Sequence, residues 1–205
     1  MSFESLLVFL KAPRLGQVKT RLALTLGDKA ACAAYCRLVE TVLVRISSLP
    51  KVRLVYAPAD GAGEIQSWTR PGWEIEPQAA GDLGHRLHSA FLDAFARGAQ
   101  RVVIIGSDCP AITANDITTA WSALKTAELV LGPATDGGYW LIGLRQPQVA
   151  LFENMAWSTA TVFQDTLNRA QTAGLMVSLL RELADVDTEA DWRAFLETER
   201  KAGEK

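Results

Sequence analysis

Several short segments of this 205-residue chain carry side chains whose types and spacing could do chemistry. The first is Lys11-Ala12-Pro13-Arg14-Leu15-Gly16-Gln17-Val18-Lys19-Thr20-Arg21. It holds four of the 21 basic residues, and no acid falls between Lys11 and Gly27. Lys and Arg beside backbone N–H groups are what a di- or triphosphate requires. Pro13 and Gly16 suit a loop that turns tightly and approaches a ligand. A solvated basic loop would have the same composition, but this one follows the first expected strand. That position favours phosphate binding by Lys11, Arg14, Gly16, Lys19 and Arg21.

The second segment is Gly106-Ser107-Asp108-Cys109-Pro110. A carboxylate at the end of a buried strand needs a cation or hydrogen bonds. Thr113 already supplies the next helix cap, so Asp108 is a candidate Mg²⁺ or Mn²⁺ ligand. Such a metal would bridge phosphate oxygens and keep several waters. Asp136, in Thr135-Asp136-Gly137-Gly138, is equally a hairpin turn residue or a substrate or metal contact. Asp187 has two readings. It could face the same metal as Asp108, or it could be an acid favoured by the dipole of a following helix. The segment Gly81–Leu87 opens a helix whose N-terminus, with Gly84 and Arg86, could bind an anion. His85 and His88 lie three apart, too few for a metal site on their own.

Two familiar phosphate loops are excluded. A Walker loop needs glycine where Pro13 and Val18 stand before Lys19. No Gly-x-Gly-x-x-Gly follows an expected strand, which argues against a dinucleotide Rossmann enzyme. Composition narrows the class further. The formal charge of −2 opposes broad nucleic-acid binding. No apolar run approaches the roughly 18 residues that span a bilayer, so no membrane partner is expected. Met1-Ser2-Phe3-Glu4 has no basic n-region of a signal peptide. Cys32, Cys36 and Cys109 make an odd count that gives no disulfide framework, and a reducing cytoplasmic setting is the expectation.

The elements that must position these residues follow from hydrophobic patterning. Apolar β-branched runs predict strands at Leu6–Leu10, Val52–Tyr56, Trp73–Glu76, Val102–Ile105, Leu129–Leu131, Tyr139–Leu144 and Val177–Leu180. Helical spacing predicts helices over Asp28–Ser47, Leu83–Ala96 and Thr113–Leu124. Another begins at Ser158 or Thr159 and runs to about Ala173, and a last one runs from Thr188 to about Arg200. The end, Ala202–Lys205, is expected to fray. Strands alternating with helices give an α/β sandwich with a largely parallel sheet. The short Asp136-Gly137-Gly138 connection makes one strand run against its neighbours. With no linker or repeat, residues 1–205 read as one domain. Ligands of such sheets sit beyond the carboxyl ends of the strands, where the basic loop and Asp108 both fall.

Lys11–Leu22, Gly106–Pro110 and Gly132–Leu144 together resemble a bacterial family of glycosyltransferase-A-like proteins. These are also described as radical-SAM/selenodomain-associated transferases. The shared pattern reads Lys-x-Pro-x-x-Gly-x-x-Lys-Thr-Arg-Leu, Gly-Ser-Asp-Cys-Pro and Gly-Pro-x-x-Asp-Gly-Gly-Tyr. The resemblance implies the nucleotide-diphospho-sugar transferase (GT-A) fold, a three-layer α/β sandwich. It also implies a nucleotide over the first loop and a divalent metal at Asp108. Distant relatives include guanylyltransferases whose Asp/Asn-x-Asp/Asn-Thr segment matches Asp185–Thr188, which implies Asp187 as a second metal ligand. Ser107-Asp108-Cys109 departs from the Asp-x-Asp of many such transferases. His85 stands where the family carries an acid.

The expected function is a metal-dependent transferase that uses a nucleotide-activated sugar and a small-molecule acceptor. Lys19 and Asp108 would share the charge of the leaving diphosphate, and Asp136 would act as base in an inverting reaction. The rival is a nucleotidyltransferase acting on a nucleoside triphosphate with the same residues. A third reading is a nucleotide-binding protein without catalysis.

Overall fold

The computed structural model describes residues 3–203. The fraying expected of Ala202–Lys205 falls partly on residues 204–205, outside the described residues. The strands are β1 (Glu4–Lys11), β2 (Val52–Ala57), β3 (Glu74–Pro77), β4 (Arg101–Ile105), β5 (Leu129–Pro133), β6 (Tyr139–Leu144) and β7 (Val177–Leu179). They form one seven-stranded sheet in the order β3-β2-β1-β4-β6-β5-β7. β1 pairs in parallel with both β2 and β4, while β6 lies antiparallel between β4 and β5. The sheet therefore has a single reversed strand, and the tight Asp136–Gly138 turn delivers it.

Both faces of the sheet are covered. Leu6, Val8 and Leu10 point into one core with Tyr35, Val39 and Trp121. Leu7 and Ile104 point into the other with Leu87, Phe91 and Ala170. Alternate residues of a strand face opposite ways, so an unbroken apolar run such as Leu6–Leu10 fits a strand with helices on both sides. α2 (Asp28–Arg45) and α5 (Ala114–Ala123) cover the first face. α4 (Leu83–Ala96) and α6 (Val162–Thr172) cover the second. This is the three-layer α/β sandwich. α7 (Glu189–Gly203) packs Phe195 against Leu38 of α2 and Val186.

Three helical pieces were not expected: α1 (Thr20–Leu26), α3 (Ala62–Ile65) with a 3₁₀ turn after it, and a 3₁₀ turn at Val149–Leu151. α6 begins at Val162 rather than at Ser158 or Thr159. The reason is local. Ser158 takes a left-handed backbone (φ 63°), and the Thr159 hydroxyl donates to Ala156 O instead of capping. The capping box at Thr113 and Asp116 does form. No helix of the described residues is long and apolar enough to cross a membrane.

Candidate active site

The sheet order changes direction beside β1, because the chain runs β1 to β2 to β3 on one side and returns to β4 on the other. Crevices form at such points, beyond the carboxyl ends of the strands. A cleft of about 580 Å³ opens there. Lys11, Lys19, Arg21, Arg86, Asp108 and Asp187 line it.

The basic loop is held from below by α2. The Tyr35 hydroxyl accepts from Lys11 N at 2.7 Å and donates to Lys11 O at 2.9 Å. Burial pushes this phenol well above the ordinary tyrosine range. One turn earlier, Cys32 Sγ donates to Pro13 O at 3.2 Å. The thiol therefore has a loop to hold as well as a core to fill. Gly16 makes the turn with a left-handed backbone (φ 71°).

Arg14 is not among the residues that line the cleft. Its guanidinium bonds Glu64 at 2.7 Å and Asp60 at 3.1 Å, bracing the loop against the segment before α3. That pairing draws the Glu64 carboxyl below its usual range. The Arg14 guanidinium is thus engaged in bracing the loop and is not part of the cleft wall.

Lys19 sits at the start of α1 with a left-handed backbone (φ 46°, ψ 46°), uncommon outside glycine and asparagine. Its ammonium contacts the Asp108 carboxylate and lies 2.9 Å from Asp187 Oδ1. Burial opposes its charge, but the two carboxylates outweigh burial and hold its pKa above the usual lysine value. Arg21 reaches Asp187 at 3.5 Å. Arg86 donates to Gly81 O at 2.8 Å and approaches Gln78 Oε1 at 3.5 Å.

Asp187 meets Asp108 because the chain after β7 docks on the end of β4: Val186 N donates to Asp108 O at 3.0 Å. The helix-start role read for Asp187 is taken by Asp191, which accepts from Thr188 N at 2.8 Å and the Thr188 hydroxyl at 2.7 Å. The Asp187 carboxylate is thereby left to the cleft.

Asp136 and Gly84 lie outside the cleft wall. Asp136 accepts from Gly138 N at 2.9 Å, the hydrogen bond of an Asx turn. Gly84 lacks a side chain for a packing reason: a Cβ there would stand 2.6 Å from Phe152 O and 2.8 Å from Trp157 Nε1. The α4 N-terminus is capped by Asp82, which accepts from His85 N at 2.8 Å. Packing alone thus accounts for the glycine at position 84, while Arg86 lines the cleft.

Sequence reasoning missed Tyr35 and Gln78, and named Asp185 only as part of its motif. Tyr35 was one hydroxyl on an apolar helix, a signal that could have been followed. Gln78 lines the cleft and donates to Val55 O at 3.0 Å. Asp185 accepts from Cys109 Sγ at 3.0 Å. Burial pushes its pKa up to about 6, and the neighbouring Asp136, Asp108 and Asp187 charges add to the shift.

Among the described residues no three His, Cys, Asp or Glu side chains converge as a metal cage. The donor chemistry nonetheless fits a hard divalent ion. Asp108 and Asp187 present oxygens on either side of one positive charge, the Lys19 ammonium. Mg²⁺ is commonly held by one or two carboxylates together with waters and substrate phosphates.

Fold and cleft define a protein of nucleotide-diphospho-sugar transferase architecture. Within that class the chain belongs to the family described as "Uncharacterized protein conserved in bacteria (DUF2064)", which matches residues 41–159. That stretch contains Asp108 and Asp136; Lys19 and Asp187 lie outside it. A provisionally named nucleotide-diphospho-sugar transferase from Desulfovibrio desulfuricans G20 is 35% identical. The match covers 92% of this chain and 84% of that one, with a TM-score of 0.86. Two distant structures share the fold. CMP:2-keto-3-deoxy-manno-octonic acid synthetase complexed with CTP is 12% identical, covering 97% and 100% of the chains at a TM-score of 0.60. Rv0371c from Mycobacterium tuberculosis H37Rv, in complex with manganese, is 15% identical, covering 96% and 99% at 0.58. No curated protein matches the chain.

Proposed function

We propose that this protein is a metal-dependent transferase that takes a nucleotide-activated sugar and passes the sugar to a small-molecule acceptor. The observation that carries the reading is the meeting of Lys19 with Asp108 and Asp187 in a cleft that Lys11, Arg21 and Arg86 also line. The name of the 35%-identical relative supports it.

In such a transfer the bond from the anomeric carbon to the diphosphate oxygen breaks. The acceptor oxygen bonds to that carbon, and the acceptor proton passes to a base or to the leaving phosphate. Negative charge accumulates on the departing diphosphate, so prearranged cations contribute most to catalysis. Lys11, Lys19, Arg21 and Arg86 are placed to take that charge. Mg²⁺ or Mn²⁺ held by Asp108 and Asp187 would supply further electrostatic stabilisation of the leaving group. An inverting reaction also needs a base. We assign Asp136 to that role; its turn stands outside the cleft wall, so it would serve an acceptor seated at the rim.

One observation favours a second reading. Four cations line the cleft, enough for three phosphates. Nucleotidyl transfer from a nucleoside triphosphate would use the same residues, with attack at the α-phosphorus and loss of pyrophosphate.

Thermal unfolding with Mg²⁺ or Mn²⁺ and a panel of nucleotides separates the readings. A ligand at 100 times its Kd adds about 2.7 kcal/mol. Stabilisation by a UDP- or GDP-sugar with metal supports sugar transfer. Preference for a triphosphate, with pyrophosphate released on turnover, supports the second reading. Metal-dependent stabilisation without turnover of any donor would leave a binding protein. No response to any nucleotide would reject all of these readings.

A further inference from the structure

We infer that the Lys19 ammonium is the resident cation of the Asp108–Asp187 pair, and that its displacement couples metal entry to phosphate entry. The inference rests on the reading above of the two carboxylates as metal ligands.

The geometry is specific to this lysine. Its side chain is 4% exposed, whereas Asp108 and Asp187 are 47% and 35% exposed. The positive charge is therefore sealed beneath two carboxylates that still face the cleft. The backbone behind it is fixed: Lys19 O accepts from Ala23 N at 2.9 Å in the first turn of α1. Its left-handed φ of 46° is a conformation lysine rarely adopts, and such strain persists where surrounding structure enforces it. Neither arginine of the loop holds the pair in this way. Arg21 stands 3.5 Å from Asp187 with 71% of its side chain exposed. Arg14 is held by Glu64 and Asp60.

A divalent ion on these carboxylates and an ammonium against the same oxygens would repel at short range. One must leave. The lysine remains tethered by its backbone at the edge of the cleft, where a bound diphosphate offers the nearest alternative anion. A phosphate that draws the ammonium away frees both carboxylates for metal. A metal that expels the ammonium frees it for phosphate. Each ligand therefore tightens the other, and by linkage the factor is reciprocal. Metal alone binds weakly because it competes with a charge already in place.

The test follows Mn²⁺ by the electron paramagnetic resonance signal of the free ion. Mn²⁺ alone is titrated into wild type, Lys19→Met and Lys19→Asn; asparagine tolerates a left-handed backbone. Both variants are expected to bind Mn²⁺ about tenfold tighter than wild type. Adding Asp108→Asn to Lys19→Met should abolish that gain. In wild type, saturating inorganic pyrophosphate should tighten Mn²⁺ about tenfold, once the solution complex is subtracted. This arm needs neither variant to fold. Equal Mn²⁺ affinity in wild type and variants, or no tightening by pyrophosphate, would overturn the resident-cation role and leave the metal site standing. No Mn²⁺ binding by any form would instead remove the metal reading, and this inference with it.

Discussion

The hydroxyl of Tyr35 satisfies both the N–H and the C=O of Lys11, so one side-chain atom fixes the residue from which the basic loop departs. Losing one such bond typically costs about 1 kcal/mol. Tyr35→Phe should therefore lower the unfolding free energy by about 1–2 kcal/mol in urea and weaken nucleotide binding more than it weakens Mn²⁺ binding. Unchanged nucleotide affinity would mean that the loop is positioned without α2. Asp108→Asn tests the carboxylate itself. It should abolish the metal-dependent part of any nucleotide-induced thermal shift, and a normal metal dependence in that variant would reject Asp108 as a ligand. These roles were unevenly legible in the sequence. Lys19 and Asp108 stand out because each follows a strand. Arg14 does not betray its role, because its partner Glu64 lies fifty residues away and composition cannot reveal a pairing at that distance.

At the scale of elements, one turn and one helix start can be tested. Gly137 has φ 88°, and a Cβ there would collide with the backbone carbonyl of Ala160. Backbone cannot step aside as a flexible side chain can. Gly137→Ala should cost more than about 2 kcal/mol in urea unfolding and displace the segment before α6; a neutral effect would contradict the packing described. The start of α5 carries a pH dependence. Burial works against the Asp116 charge, but Arg181 and Thr113 outweigh it and lower its pKa. A carboxylate lowered in the folded state stabilises fully above its unfolded value near 4. That contribution is lost as pH falls below this value through the folded one. Asp116→Asn should flatten the acid limb of a stability–pH curve. An unchanged limb would show that other carboxylates dominate it. The Thr113 box was legible, since it needs two residues three apart. α1 was hidden within a basic segment that reads as loop, and the displaced start of α6 depends on a left-handed Ser158 that no local propensity announces.

At the scale of the whole molecule, the strand order brings separate pieces of the chain to one crevice. β1 and β4 are neighbours in the sheet, although much of the chain separates them in sequence. Their carboxyl ends place Lys19 and Asp108 together, and the chain after β7 returns to add Asp187. The alternating strand and helix pattern was enough to anticipate a mixed sheet with one reversed strand. The docking of Val186 on Asp108 O was not legible, because it depends on tertiary packing of α7. We propose that the whole sandwich unfolds as one domain, with far- and near-ultraviolet circular dichroism transitions that coincide. Separate transitions would divide it. The central claim is that metal and diphosphate meet between the basic loop and the two acids. The most direct measurement is paramagnetic broadening of amide NMR signals by Mn²⁺ in the presence of a nucleoside diphosphate. Signals of Lys19–Arg21, Gly106–Asp108 and Val186–Thr188 should vanish first, while those of α6 persist. Broadening centred elsewhere on the molecule would contradict the account.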